Sequence, residues 1–303
     1  MYRYRIAVTA AVILLLAAPF AAATDFKPIV PDPSYDHDRW GTEPKDLVYT
    51  FRAYVTSFDS DDDDDGDGKP DYRGIPEWVA YEMKAYPRKL RAGPKRPSPW
   101  ITDRDLFEAG IAPSDATYQY SSSFRKRHAN WYDRGHLCMR DHAWRQGAAA
   151  DWNTHTVLNA VPQRHSFNSG IWLDLENLTA AWADKYGAIW VIDGPIFYHN
   201  REPTAFLGEK GEMKIAIPDA LFKIVIKLPR KASRPDVLAF VYDQECDECK
   251  SARGPFHHLK YATSVKDIED QTGLRFFTKL PKADREAVET AVATELWPST
   301  DTQ

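Results

Sequence analysis

Two segments, WYDRGHLCMRDH (131–142) and LNAVPQRHSFNSGIWLDLE (158–176), carry the residue types that phosphodiester hydrolysis requires. A water must lose its proton to a base of near-neutral pKa, and His136 is such a group. The negative, phosphorane-like transition state needs a fixed cation. Arg134, two residues from His136, faces the same side of a strand. The departing 3′-oxygen needs charge neutralisation, which a divalent metal supplies. Mg2+ takes oxygen ligands and keeps several waters, so one amide oxygen with a carboxylate nearby can hold it. Asn168 stands at the start of a helical stretch, and Glu176, eight residues on, falls on roughly the same side two turns later. Each residue also has an ordinary reading. Asp133 and Arg134 can form a surface ion pair, Asn168 can cap the helix, and Glu176 can be an exposed helix residue. Trp131, Trp152 and Trp172 read as core aromatics rather than base-stacking platforms.

The elements that must position these groups follow from periodicity. LVYTFRAYV (47–55) and WVAYEMKAY (78–86) read as strands. From Trp131 the pattern is strand, helix, loop, helix, with a helix over about 171–186. Short strands follow at AIWVIDG (188–194), MKIAI (213–217), LFKIVIKL (221–228) and VLAFVY (237–242). Two further helices are expected near Val265–Gln271 and Lys282–Leu296. Strands on both sides of a helical centre give an α+β class with a mostly antiparallel sheet. Residues 24–45 read as an extended lead-in and 46–303 as one domain.

Charge is unevenly spread. The chain has 303 residues, 39 basic and 44 acidic, for a net charge of −5, which argues against coating nucleic acid by bulk charge. Residues 1–23 hold only Arg3 and Arg5 as charged groups, and Asp59–Asp71 holds eight Asp and Lys69. Outside both segments 36 basic and 36 acidic residues remain, so one short run supplies the whole acidic excess. Its spacing, Asp63, Asp65, Asp67, Gly68 and Asp71, matches a DxDxDGxxD calcium loop in which the Lys69 carbonyl completes the shell. A second register, from Asp61 with Gly66 in sixth place, fits in part, and a solvated acidic loop is the plain alternative. The basic stretches Lys84–Arg96 and Arg125–His128 can track phosphates over an otherwise neutral body.

The N-terminus, MYRYR followed by an Ala-rich apolar stretch to Ala23, reads as a cleaved secretory signal. That predicts a secreted or periplasmic protein with no membrane segment after cleavage. Cys246 and Cys249 form a Cys-x-x-Cys in an acidic loop outside any strand-to-helix junction, so redox chemistry is not expected. They read as a local disulfide or two free thiols, with Cys138 alone.

Asp133-Arg134-Gly135-His136, then Asn159-Ala160-Val161-Pro162-Gln163, then Asn168, Trp172 and Leu175-Glu176 together resemble the DNA/RNA non-specific endonuclease family of the ββα-metal superfamily. A weaker likeness extends over about Asp46–Pro281. The resemblance implies a ββα-metal motif with His136 as the general base and Asn168 as the single direct protein ligand of Mg2+, which Mn2+ can replace. It further implies Arg134 near the scissile phosphate, Glu176 as the helix carboxylate that orders the metal's waters, and Asn159 as a support. Some members carry another Arg one turn after the glutamate. Here that position is Ala180, with Arg164 or Arg145 as candidate substitutes. The expected function is a secreted Mg2+-dependent endonuclease acting on DNA, RNA or both. The competing expectation is a calcium-stabilised extracellular nucleic-acid-binding module on a degenerate nuclease fold.

Overall fold

Alternating and continuous apolar runs decide the centre of the molecule. The computed structural model describes residues 31–44, 46–59, 73–86, 93, 95–118, 131–199, 201, 203–208, 212–230, 232 and 234–299. The proposed signal (1–23), the calcium-loop residues Asp63, Asp65, Asp67, Lys69 and Asp71, and the basic stretch Arg125–His128 lie outside them. Among the described residues no helix is long and apolar enough to cross a membrane.

In chain order the elements begin with β1 (Leu47–Thr50), β2 (Val55–Phe58), β3 (Pro76–Lys84) and α1 (Arg104–Glu108). Next come β4 (Tyr132–His136), α2 (Arg140–Trp144), α3 (Ala148–Asn153), β5 (Ala160–Arg164) and α4 (Leu173–Tyr186). Then follow β6 (Ala188–Ile196), β7 (Phe206–Leu207), β8 (Ile215–Ala216), β9 (Ala220–Lys227), β10 (Asp236–Asp243) and β11 (Ala262–Thr263). The last helices are α5 (Val265–Thr272) and α6 (Lys282–Glu289). A seven-stranded antiparallel sheet runs in the order β1-β2-β3-β6-β9-β10-β11. The α+β class with a mostly antiparallel sheet is the architecture expected from sequence.

The long central strands are buried on both faces, so each contributes to two cores. Odd positions of β3, β6 and β9, such as Tyr81, Val191 and Val225, pack with Trp172, Leu175 and Trp182 beneath α4. Even positions, such as Trp78, Ile192 and Ile224, pack with Val265, Ile268 and Val288 from α5 and α6 and with Trp40 from the lead-in. This is the period-2 alternation of a pleated strand between two layers.

Four element expectations are corrected. LVYTFRAYV is a hairpin rather than one strand. The chain reverses between Phe51 and Tyr54, whose amide and carbonyl pair at 2.8 Å and whose buried rings pack at 4.7 Å. The apolar content there marks burial, not straightness. MKIAI shrinks to a two-residue strand, Ile215–Ala216, paired with Phe206–Leu207. The last helix stops at Glu289 instead of Leu296, because the chain turns away to bury Trp297. That indole packs edge-on against Trp182 at 5.3 Å, and the Trp182 Nε1–H donates to the Trp297 carbonyl. Finally, Ala160–Arg164, expected as loop, is a strand, and it completes the motif that carries the site.

Candidate active site

β4 and β5 form a separate antiparallel ribbon, with His136 opposite Ala160 and Arg134 opposite Pro162. Gly135 is dictated by space: a Cβ there would lie 2.1 Å from the Gln163 side chain of the partner strand. The end of the ribbon beyond His136 is pinned by Asn159, which is fully buried. Its amide accepts from the Cys138 N–H at 2.8 Å and donates to the carbonyls of Cys138 at 2.9 Å and Thr154 at 3.1 Å. Asn159 therefore supports the site by holding the chain just past His136.

After β5 comes one helical turn, His165–Phe167, and then a π-helical turn, Asn168–Trp172, before α4. Asn168 is thus in a widened turn and not at an α-helix N-terminus, which corrects the helical-wheel argument. Widened turns of this kind often mark functional sites. The kink centres on Gly170, at φ −110 and ψ −113. A Cβ at Gly170 would sit 2.5 Å from the Ser251 carbonyl, two residues past the Cys246–Cys249 disulfide. The Ser166 hydroxyl donates to the Cys249 carbonyl at 2.9 Å, so the disulfide-bonded segment braces the turn.

His136, Arg134, Asp133, Asn168 and Glu176 all line one open cleft of about 570 Å3, together with Arg96, Trp100, Arg140 and Asp141. The five residues singled out from sequence are therefore brought together. The side chain of Asn168 has a defined orientation. Its Nδ2 donates to Asp133 Oδ2 at 3.1 Å, because the reverse placement would set oxygen against oxygen, and its Oδ1 is thereby turned away from that carboxylate. Asp133 also accepts from His165 Nδ1 at 2.8 Å and Trp131 Nε1 at 3.0 Å. It is a scaffold for three donors rather than a surface ion-pair partner.

Arg134 pairs instead with buried Asp115, and its guanidinium lies 4.8 Å from the Trp100 ring centre. Trp100 also packs against His136 at 4.7 Å and against buried His155 at 5.4 Å. One indole thus fixes both the candidate base and the candidate phosphate-binding arginine. Burial holds the His136 imidazole well below its ordinary pKa, and His155, Arg96, Arg134 and Arg140 add to the effect. Its Nε2 has no hydrogen-bond partner among the described residues. That nitrogen is also buried from solvent, and the ring is held in its neutral form.

Glu176 is buried at the floor of the cleft. Burial pushes its carboxyl up to about 8, Lys223 pulling it down and Asp193 adding to the rise. Its backbone is anchored by His142, which burial holds neutral at about 3. The ring bridges the Glu176 carbonyl and the Tyr81 hydroxyl, each at 3.0 Å. With Nε2 donating to the carbonyl, Nδ1 accepts from Tyr81. The donor set of the cleft, one amide oxygen and one buried carboxyl beside polar surface, fits a hard divalent ion that keeps most of its water. A carboxyl that is protonated without a cation is one whose charge a cation would restore.

The substitutes suggested for the missing arginine do not reach the cleft. Arg145 is spent on Asp184 at 2.6 Å and on the carbonyls of Lys84 and Ala180. Arg164 pairs with Glu245 and covers the Tyr132 ring. Arg96 and Arg140 line the cleft instead, Arg140 held by Asp151 at 2.6 Å. Trp100, Asp115, His155 and Arg140 were not picked out from sequence. The only signal was the aromatic in PSPW and the arginine four residues after His136. The Cys-x-x-Cys is a disulfide and Cys138 is a buried free thiol.

Comparison with known proteins follows the same line. The chain is 28% identical over 220 residues to a mitochondrial EXOG nuclease of Danio rerio, covering 68% of this chain and 57% of that protein. It is 24% identical over 221 residues to mitochondrial nuclease 1 of Schizosaccharomyces pombe, covering 68% and 62%. It thus spans about three-fifths of the length of these relatives. Its fold matches EndoG in the crystal structure of an EndoG/EndoGI complex, with a TM-score of 0.59, 18% identity, and 82% and 92% of the two chains covered. The expected secreted or periplasmic location is corrected here, because the curated relatives are mitochondrial nucleases. The family model described as DNA/RNA non-specific endonuclease matches residues 56–283, most of the chain, and the protein belongs to that family.

Proposed function

We propose that the protein is a Mg2+-dependent endonuclease that hydrolyses phosphodiester bonds of DNA, RNA or both. The observation that supports it most is the convergence of a neutral histidine, a fixed arginine, an oriented amide oxygen and a buried carboxyl in one cleft. His136, held in its neutral form, withdraws the proton of the attacking water. Arg134, held by Asp115 and Trp100, faces the phosphoryl oxygens as negative charge builds on them. Arg96 and Arg140 place two more cations along the strand's path. Asn168 Oδ1 would hold a divalent ion, Mg2+ or in its place Mn2+, and Glu176 would order the waters it keeps; when bound the ion supplies positive charge beside the leaving oxygen. Asp133 keeps Asn168 aimed, and Asn159 keeps the His136 turn in place.

The two perturbed groups predict a split pH dependence. His136 has a lowered pKa, so its basic form persists as pH falls past 6.5. Glu176 is raised to about 8, so filling the metal site releases a proton and affinity climbs as pH rises towards 8. At saturating Mg2+ the acid limb of kcat should therefore lie below pH 6.5, while at sub-saturating Mg2+ the rate should rise up to about pH 8. Coincident profiles at both metal concentrations would remove Glu176 from the metal site.

Ca2+ binding by Asp63, Asp65, Asp67, Lys69 and Asp71 is proposed on spacing alone. Ca2+ should then raise Tm relative to chelator, and an Asp65→Asn/Asp67→Asn variant should melt equally in both. Tight nucleic-acid binding without turnover in any divalent metal would favour the binding-module reading over the enzyme.

A further inference from the structure

Trp131 is expected from sequence to lie in the core. It and His165 are instead only half-buried, and the His165 side chain is 44% exposed. Their rings stack with centres 4.4 Å apart and planes 19° apart. The pair is locked from below. Asp133 accepts one hydrogen bond from the indole Nε1 and one from the imidazole Nδ1, at 3.0 and 2.8 Å. The His165 amide donates to the Trp131 carbonyl at 2.7 Å, tying the two strand ends together. The same Asp133 carboxylate orients Asn168. A rigid aromatic pair and the candidate metal ligand therefore share one anchor, Asp133, which itself lines the cleft.

We infer that the Trp131–His165 stack is a nucleobase platform: it receives a base next to the scissile phosphate while the backbone lies in the cleft. This deepens the nuclease reading and rests on it. An aromatic face accepts any base, since every base has a π surface, so the contact favours no particular sequence. Fixing the rings before the substrate arrives lowers the ordering cost of binding. A base inside a duplex is already stacked on its neighbours, so the platform acts on unpaired strands and on ends. It thereby biases the enzyme towards single-stranded substrate.

The test uses the full chain in a His136→Ala background with Mg2+, so that binding is read without turnover. The ligands are a labelled oligothymidylate of about twelve nucleotides and a base-free deoxyribose-phosphate strand of equal length, within the usual size for single-strand grooves. Trp131→Phe and Trp131→Leu both delete the indole N–H that serves Asp133, but only Phe can stack. Leu should weaken oligothymidylate binding about tenfold to a hundredfold relative to Phe, and the two variants should bind the base-free strand alike. Equal losses in Phe and Leu would show that Trp131 serves only to hold Asp133, and would overturn the platform. Equal binding of the two strands by the His136→Ala protein would overturn it as well, with no change at Trp131 required. The nuclease reading fails separately, if the unsubstituted protein cleaves neither strand type nor duplex in any divalent metal.

Discussion

His136→Ala should lower the rate of DNA and RNA digestion about 10²- to 10⁴-fold, the usual contribution of a positioned general base. The substitution opens space beside Trp100 but leaves the Arg134–Asp115 pair and the Asn159 clamp untouched. Secondary structure and cooperative melting should survive, and so should binding of a single-stranded oligonucleotide. Added imidazole should recover part of the lost rate, because a small neutral base can enter the vacated volume. A folded His136→Ala protein that digests plasmid as fast as the unsubstituted enzyme would refute the assignment.

Lys223→Met should destabilise the fold by about 3–5 kcal/mol, the typical cost of leaving a buried charge without its partner. Lys223 and Asp193 face each other across β9 and β6, and their side chains are wholly out of solvent. The ammonium donates to Asp193 Oδ2 at 2.8 Å and lies 4.3 Å from the Trp172 ring centre. Even with this partner, burial pushes the Asp193 carboxyl up to about 6. Without it the acid must fold protonated or carry an unpaired charge. Adding Asp193→Asn to Lys223→Met should restore much of the loss, since an amide is cheaper to bury than a carboxylate. Urea unfolding at neutral pH reads both. A single variant within about 1 kcal/mol of the parent would mean that water or movement relieves the buried acid. Activity should fall too, because Trp172 belongs to the turn that carries Asn168.

What sequence could reveal about the site followed distance along the chain. Asp133, Arg134 and His136 lie within four residues, and Asn168 and Glu176 within nine, so residue type and spacing sufficed to group them. Trp100, Asp115 and His155 come from segments with no periodicity and meet Arg134 and His136 only through tertiary packing. The π turn at Asn168 was hidden because an i+8 spacing in a regular helix leads to the same side by a different route. The sheet was legible from its apolar runs, whereas the hairpin at 51–54 was not, since its turn is built from buried aromatics rather than Gly or Asn. Lys223 did leave a trace: a lysine inside LFKIVIKL, unlike Lys227 at the strand's end, is out of keeping with a strand buried on both faces. The export expectation rested on the N-terminal 23 residues alone, a basic start and an apolar stretch ending in small residues, and the mitochondrial relatives overturn it.

The two-faced sheet has an evolutionary corollary. Along β3, β6 and β9, neighbouring residues report to different masters. Tyr81, Asp193 and Lys223 look towards the chemistry, while Ala80, Ile192 and Ile224 look towards α5 and α6. Alternate letters of the same strand are thus exposed to separate selection. Substitutions at the even positions can drift, or be chosen for heat resistance, while the cleft keeps its geometry. A library confined to those positions would sample stability as a variable nearly independent of turnover.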